Sequence, residues 1–510
     1  MKKILISTVA VSALLFNVGC DTDFDQDVSS IVVTKGDADF TKFVSLGNSL
    51  TSGYRDGTLY LDGQNESFPS MIAQQMQLAG GGAFKQPLMP NNVGGFIGLP
   101  GFPGKLNLQV VNGALAPVPS APAAALDNIS AAGPYQNMGV PGAKSFHLGI
   151  NGYATLNPYF SRFAKSTTTS VIADAVAQAP TFFSLWIGNN DVLSYATNGG
   201  TNSTTTGGVT TYTAAVDQTG NTNPATYGSN DITDANVLAG SITSYVNALT
   251  ANGAKGVIAN IPNVATIPFF TRVPYNPLTP ALVGANVPAL NTGLYGPLKQ
   301  ALTAFGAGDR INLLSATTSN PLLIVDVSLT NLSAQLTAAF TPTLGPSTAA
   351  AFGQIYGQAR QATAEDLVLL TTSSVIGTTV AGVPANINVN GISYPLANQY
   401  ILTKAEVAKV QAATTAYNTA IKSIATAKGL AFVDANAKMA ELSKASGIQY
   451  NGVKYTATFV TGGTFSLDGV HLTGRGYALI ANEFIKQINS KYRSTLPMVN
   501  VNNYTGVKFP

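Results

Sequence analysis

Residues 40–50 have the sequence FTKFVSLGNSL, a strand-forming run that leads into a glycine turn and a serine. The segment from Phe40 to Leu46 alternates in character and is rich in strand-forming residues, a pattern typical of a β-strand. Ser49 therefore follows directly after the C-terminal end of a predicted strand. Open α/β sheets bind their ligands at that edge, so we expect Ser49 to lie in a functional site.

A second predicted strand ends in another polar turn. Residues 181–187, TFFSLWI, are almost wholly apolar, and they are followed by Gly188-Asn189-Asn190-Asp191. Taken alone, this tetrad is explained equally well as an ordinary turn, because Asn and Gly favour turns. Its position after a strand places Asn190 at the same predicted edge of a sheet as Ser49.

Two further short blocks complete a set suited to acyl transfer. Residues 137–142 are NMGVPG, and residues 468–471 are DGVH. A serine hydroxyl is a poor nucleophile without a base, and imidazole is the usual base. The chain has two histidines, and only His471 has a carboxylate, Asp468, close by in sequence; His147 has none. We infer that His471 is the base and that Asp468 orients it.

The order and content of the four blocks resemble the SGNH (GDSL-type) hydrolase family. The resemblance implies that Ser49 is the nucleophile, and that the oxyanion is held by the Ser49 amide, the Gly139 amide and the Asn190 side chain. The role of Gly139 depends most on the resemblance, because its segment is also explained as a simple turn. The chain departs from the family at Asn48, where the usual residue is aspartate. We expect this change to affect the turn rather than to remove a catalytic group.

The remaining pattern alternates helices with strands, which predicts a parallel sheet covered on both faces: a three-layer α/β/α fold with large insertions, similar to the SGNH hydrolases. Predicted helices cover 68–78, 236–254, 404–428 and the segment from 472 to 485, and predicted buried strands cover 256–262 and 430–434.

We predict one hydrolase domain over residues 39–510, because the four blocks span most of the chain. Insertions are expected at about 80–135, which is rich in Gly, Pro and Ala, at 196–230, a Thr/Asn/Gly/Ser-rich loop, and at about 265–400. The last is strongly apolar, which favours a subdomain with its own core. Alternatively, it overhangs Ser49 and lines an acyl pocket.

The N-terminus is typical of a bacterial lipoprotein. Residues 1–19 combine lysines with an apolar stretch too short to span a membrane, and Val18-Gly19-Cys20 fits a lipoprotein processing site. Cys20 is the only cysteine, so we expect it to carry lipid. Residues 20–38 begin with an acidic run that is explained as a solvated tether or, by similarity to surface lipoproteins of Bacteroidota, as an export signal. This predicts attachment to the outer membrane, exposed at the cell surface.

Composition argues against several other classes of protein. Charged residues make up 10% of the chain, the net charge is +3, and no basic cluster is present, so nucleic acid is not an expected partner. The sequence contains no cluster of His, Cys and carboxylate residues with metal-ligand spacing, and no glycine-rich phosphate loop after a strand. We therefore expect neither a metal nor another cofactor.

These features together predict a surface-anchored serine ester hydrolase, an esterase or lipase similar to the lipolytic lipoproteins of Bacteroidota. Its expected partners are an ester or lipid substrate and the membrane that holds its anchor. Two alternatives remain open at this point. One is a carbohydrate acetylesterase; the other is a catalytically idle lipoprotein that binds a ligand or an outer-membrane protein complex.

Overall fold

The computed structural model describes residues 32–111 and 113–510. The predicted signal peptide at 1–19, the lipidation site Cys20 and the acidic run that follows it lie outside the described residues.

A five-stranded parallel sheet forms the centre of the described chain. Its strands, in chain order, are β1 (Phe43–Gly47), β2 (Asn137–Gly139), β3 (Phe182–Trp186), β4 (Lys255–Ala259) and β5 (Ala431–Val433). Their spatial order is β5-β4-β3-β1-β2. Because all five strands run in the same direction, their carboxyl ends meet at one edge, where Gly47 of β1 pairs with both Gly139 and Trp186. The predicted mixed α/β architecture with a parallel sheet is confirmed.

Helices cover both faces of this sheet. These helices and the short helix that carries Ser49 are α1 (Ser49–Ser52), α2 (Phe68–Leu78), α3 (Val171–Val176), α4 (Asn190–Thr197), α5 (Ala235–Thr250), α6 (Lys404–Ala427), α7 (Ala435–Leu442) and α8 (Gly474–Tyr492). In one group α2 packs against α8, and in a second group α4 and α5 pack against α6. Both α6 and α8 lie against β4 and β5.

Alternation along β3 explains how both faces become buried. Side chains of successive strand residues point to opposite faces, so Phe182 and Trp186 point to the same side. There, the Trp186 ring contacts Phe68 of α2 and Phe484 of α8, and Phe182 contacts Tyr492 at the end of α8. The nearly continuous apolar sequence of β3 is what a strand buried on both faces requires.

Sequence signals at helix starts fix two of the long helices. Thr403 and Glu406 form a capping box at the start of α6, in which the Glu406 carboxylate accepts hydrogen bonds from both the Thr403 amide and hydroxyl, each 2.8 Å long. Thr473 caps α8 by accepting a hydrogen bond from the Gly476 amide at 3.2 Å. The second cap fixes the point at which the loop containing His471 enters its helix.

The remaining elements lie between these units. Further α-helices are Leu61–Asn65, Pro158–Ser161, Pro268–Thr271, Pro280–Val283, Val287–Leu290, Gly296–Ala304, Ser333–Leu344 and Pro346–Tyr356. Antiparallel pairs join Leu106–Val111 to Ala114–Pro119, Thr201–Thr206 to Val209–Ala214, Leu323–Val325 to Ala359–Gln361, Leu367–Val368 to Ile401–Leu402, and Ile448–Tyr450 to Val453–Tyr455. Across the described ranges, no helix is both long and apolar enough to cross a membrane.

The segment 196–230 is not a plain loop, so that prediction is wrong over residues 201–214. Thr201–Thr206 pairs with Val209–Ala214, and Gly207 and Gly208 at the tip have φ of 60° and 81°. A two-residue hairpin turn needs positive φ at both positions, which Gly-Gly supplies without strain. The threonine-rich flanks supply the strand propensity. The Gly-Gly turn between them predicts a hairpin, but the repetitive composition led to the prediction of a loop.

The 265–400 insertion contains most of a second hydrophobic core, separate from the one around the sheet. Leu298, Leu323 and Tyr356 are among its fully buried side chains. An ion-paired cluster joins this insertion to α6. Arg360 contacts Asp326 and Asp366 at 2.7 Å, and the Asp366 carboxylate accepts a hydrogen bond from the Lys404 amide at the start of that helix.

Candidate active site

Ser49, His471 and Asp468 form one chain of hydrogen bonds at the carboxyl edge of the sheet. Ser49 Oγ lies 2.8 Å from His471 Nε2, and His471 Nδ1 lies 2.9 Å from Asp468 Oδ2. The serine and the histidine are separated by more than 400 residues in the sequence and meet because β1 and the loop before α8 end at the same place. This is the arrangement in which imidazole accepts the serine proton while a carboxylate fixes its tautomer.

The turn after β1 positions Ser49 at the first residue of α1. Asn48 is fully buried; its Oδ1 accepts a hydrogen bond from the Leu50 amide at 3.0 Å, and its Nδ2 donates to Asn189 Oδ1 at 3.1 Å. An aspartate has no N–H to donate to Asn189 Oδ1, so the asparagine side chain matches a neighbour that presents an oxygen. Asn48 thus holds the turn, and it makes no hydrogen bond to His471.

Gly47 explains the close approach at this turn. A Cβ at this position would lie 2.1 Å from the Thr51 hydroxyl and 2.3 Å from the Trp186 carbonyl. The glycine therefore lets the chain fold back tightly enough to place Ser49 over the end of β1.

Asp468 is held as an anion by five hydrogen bonds. Its Oδ1 accepts from the amides of Val470 and His471, at 2.9 and 2.8 Å, and from the Ser466 hydroxyl at 3.0 Å; its Oδ2 accepts from His471 Nδ1 and from the Gly57 amide at 3.0 Å. Burial by itself raises the pKa of this carboxyl, but the charge and hydrogen bonds of His471 and the backbone amides outweigh it and hold the pKa well below its usual value.

Two residues at this site were not predicted from the sequence. The Tyr54 ring lies 4.6 Å from the His471 ring, centroid to centroid. Asp56, at φ 53°, accepts a hydrogen bond from the Leu467 amide and donates its own amide to Ser466 Oγ, both at 3.0 Å. Asp56 therefore ties the turn after α1 to the loop carrying Asp468. The Asp56-Gly57 pair indicates a turn, but no local signal connects it with a loop about 400 residues later.

Asn190 lies at the start of α4, on the carboxyl side of β3. Its Nδ2 donates a hydrogen bond to the Ala143 carbonyl at 2.9 Å, and its side chain is largely buried. A side-chain amide has two N–H donors, so one remains after this bond. The next residue, Asp191, accepts hydrogen bonds from the Ser145 amide and hydroxyl at 2.7 and 2.6 Å. These bonds bring the segment after β2 against Asn190.

The structure contradicts the predicted use of the Gly139 amide as an oxyanion donor. This amide donates its single hydrogen to Asn137 Oδ1 at 3.1 Å, within β2. Gly139 is needed for packing instead, because a Cβ there would lie 2.4 Å from the Ser52 amide nitrogen. The sequence does not show which glycine of NMGVPG has a free amide, because this depends on the Asn137 side chain, which folds back onto its own strand.

Gly142, three residues later, is exposed and has an amide that is free among the described residues, whereas the Gly139 amide is engaged. It adopts a φ of 80°, and a Cβ added there would meet no atom within 4 Å. Among the described residues its amide has no hydrogen-bond partner, and the same holds for the Ser49 amide. Gly142 precedes Ala143, whose carbonyl binds Asn190, so its backbone adjoins that side chain. A glycine directly after Pro141 was a usable sequence signal for a turn.

His147 lies away from this cluster and has a different environment. Its Nδ1 accepts a hydrogen bond from the Lys144 amide at 3.0 Å, and its ring stacks on Tyr153 with centroids 5.0 Å apart. Burial, together with the charge of Lys144, lowers the pKa of His147 to about 4. His147 is therefore a neutral, packed side chain at neutral pH.

The described residues contain no group of three or more His, Cys, Asp or Glu side chains that is placed to hold a metal ion. No family model, curated protein or solved structure was found to match this chain.

Proposed function

We propose that the chain is a serine ester hydrolase of the SGNH type, acting on acyl esters. The single observation that carries this proposal is the continuous relay from Ser49 Oγ through His471 to Asp468, with contacts of 2.8 and 2.9 Å. A parallel α/β sheet with its nucleophile at the carboxyl edge of β1 is also what the resemblance to that family implies.

Each step of the proposed reaction uses Ser49 Oγ, His471 Nε2 or both. Ser49 Oγ attacks the ester carbonyl carbon as its proton moves to His471 Nε2. The tetrahedral intermediate then expels the alcohol, which takes that proton from Nε2 and leaves an acyl ester on Ser49. A water molecule repeats the sequence, giving up its proton to Nε2, and releases the acid as Ser49 regains its hydrogen. Asp468 compensates the imidazolium charge in both halves.

Three donors are proposed to stabilise the oxyanion: the amides of Ser49 and Gly142 and the remaining N–H of the Asn190 side chain. Each of these three groups has an N–H that donates to no acceptor among the described residues. Donors fixed before the reaction stabilise developing negative charge without a cost of reorganisation. Gly142 replaces Gly139 in this set because the Gly139 amide is already engaged.

Pre-steady-state hydrolysis of p-nitrophenyl acetate tests the proposal. An acyl-enzyme mechanism predicts a burst of p-nitrophenol close to one equivalent per protein molecule when deacylation is slower than acylation. The Ser49→Ala protein is expected to show neither burst nor turnover. Hydrolysis by Ser49→Ala at the wild-type rate would reject the assignment, and no turnover of any ester by the wild type would favour the idle binding protein.

Membrane attachment through Cys20 is part of the same proposal, supported by the lipoprotein-like sequence of residues 1–20. Cys20→Ser is expected to release the protein from the membrane fraction or to leave an unprocessed precursor. Protease treatment of intact cells measures surface exposure. Protection of the wild-type protein from the protease would contradict display on the cell surface.

A further inference from the structure

An apolar cavity of about 90 Å³ lies between the loop that carries His471 and the helices around it. Leu50 and Val470, the chain neighbours of Ser49 and His471, are part of its lining. The walls come from α7, from α8 and from the strand Ile448–Tyr450, and they are apolar at almost every position. We call this cavity the C-terminal groove, because residues 435–480 supply most of its lining.

We propose that the C-terminal groove binds the acyl chain of the ester whose carbonyl carbon is attacked by Ser49. This inference rests on the proposed function and adds a substrate class to it: esters of medium or longer unbranched acids. Its first support is adjacency, since Leu50 and Val470 line the groove and each is the immediate chain neighbour of a member of the Ser49–His471 pair.

The charges around the groove favour a hydrocarbon occupant. Lys438 is a charged residue of the lining, and its ammonium group is already paired with Glu441 at 2.7 Å and with Glu483 at 3.0 Å. No unpaired charge in the described lining is therefore available to bind an acidic or zwitterionic head group. An unpaired polar group buried there would lose hydrogen bonds to water, whereas each buried methylene is stabilising.

The two halves of the reaction favour the acyl chain over the alcohol as the occupant. After the alcohol leaves, a water molecule must take its place and reach His471 Nε2. The alcohol side of the site must therefore admit water, which an apolar groove does not stabilise. The acyl chain, in contrast, stays attached to Ser49 through both halves, so a dry groove can hold it throughout.

The groove also changes the role expected of the 265–400 insertion. In the described part of the chain, Ile267 is the one residue of that insertion that lines the groove. The insertion also contacts the loop that carries Asp468 and His471, where the Phe269 amide donates a hydrogen bond to the Gly469 carbonyl at 2.9 Å. The alternative in which this insertion lines an acyl pocket is therefore disfavoured, and C-terminal segments supply most of the proposed wall.

Chain-length profiles of purified wild-type protein test the inference. For p-nitrophenyl acetate, butyrate, hexanoate and octanoate, kcat/KM is expected to rise by up to about fourfold per methylene until the groove is filled. For acetate esters of ethanol, butanol and octanol, in which the alcohol varies instead, we expect a flat profile.

A matched pair of variants in one hairpin identifies the groove as the cause. Ile448 lines the groove, whereas Val453, on the paired strand, is exposed and does not. Ile448→Trp is expected to lower the octanoate-to-acetate ratio of kcat/KM by roughly tenfold, equivalent to about two methylenes displaced. Val453→Trp should leave the ratio and the activity on acetate unchanged. Because both rates are measured on one preparation, loss of folded protein cancels from the ratio.

The outcomes separate this inference from the proposed function. Turnover of acetate with no rise toward octanoate, or a rise that Ile448→Trp does not alter, overturns the groove assignment and leaves the ester hydrolase proposal standing. A rise with alcohol length that Ile448→Trp abolishes overturns the choice of the acyl chain. Absence of turnover for every ester, together with no Ser49-dependent burst, overturns the proposed function itself.

Discussion

The two histidines of this chain show how neighbouring groups give one side chain two different roles. His471 lies between the Ser49 hydroxyl and a carboxylate that accepts five hydrogen bonds. His147 lies beside a lysine, accepts a backbone hydrogen bond and packs against tyrosine, and its pKa falls to about 4. A histidine that must gain a proton during a reaction needs a compensating anion. The chain supplies one at His471 and a cation at His147.

The largest expected difference between the surroundings of His471 and those of His147 is in their effect on ester turnover. Ser49→Ala and His471→Ala should each lower kcat by roughly 10⁶-fold, because the members of a triad act as a unit. His147→Asn is the matched control, since the asparagine oxygen can accept the hydrogen bond from the Lys144 amide and the site near Ser49 is left intact. Steady-state assays with p-nitrophenyl butyrate measure all three. Equal losses at His147 and His471 would remove the distinction between them.

A smaller loss is expected when the anion beside His471 is removed. Asp468→Asn should lower kcat by about 10⁴-fold, because an amide in this position favours the wrong imidazole tautomer and no longer balances its charge. The measurement is kcat across pH 6–10, with thermal unfolding to verify that the loop persists. A variant with wild-type kcat would show that the carboxylate does not assist His471.

The oxyanion donors should contribute less than the triad. Asn190→Ala is expected to lower kcat by about 10²–10³-fold, the effect of losing one preset donor. The Ala143 carbonyl also loses its partner in this variant, so the free energy of unfolding should be measured beside the kinetics. If kcat is unchanged in a folded variant, Asn190 does not contact the oxyanion.

The smallest expected effect is on the free energy of unfolding, and it comes from His147. Its pKa is about 4 in the folded protein and about 6.5 when unfolded, so the unfolded state binds the proton more readily. The stability contribution of neutral His147 is complete above about pH 6.5 and is lost as pH falls through 4, by up to about 3 kcal/mol. Urea unfolding of wild type and His147→Asn between pH 7 and 4.5 measures this, above the range in which Asp468 gains a proton. Identical pH profiles for the two proteins would exclude His147 as the cause.

The sequence predicted most of the sheet and the proximity of Asp468 to His471 because these features have local signals. The helix at 68–78 has the predicted bounds, and the strand at 182–186 lies within the predicted 181–187. Asp468 and His471 are three residues apart, so their pairing was visible in the sequence. The choice between Gly139 and Gly142 was not, because it depends on which amide the Asn137 side chain occupies.

Other features could not be predicted because distant segments create them. Asp56 acts on a loop more than 400 residues away, and the C-terminal groove forms only where α7, α8 and a hairpin converge beside Leu50. The hairpin at 201–214 had a local signal in Gly207-Gly208, which its repetitive threonines concealed. The second core of the 265–400 insertion follows from its apolar composition, but its contact with Gly469 does not.

Labelling with a fluorophosphonate is the most direct test of the claim that Ser49 is a nucleophile activated by His471. The wild-type protein should react to one equivalent, with the adduct on the peptide containing Ser49. Labelling should be abolished in Ser49→Ala, slowed by orders of magnitude in His471→Ala, and unaffected in His147→Asn. An adduct on another residue, or the same labelling rate in wild type and His471→Ala, would contradict the account.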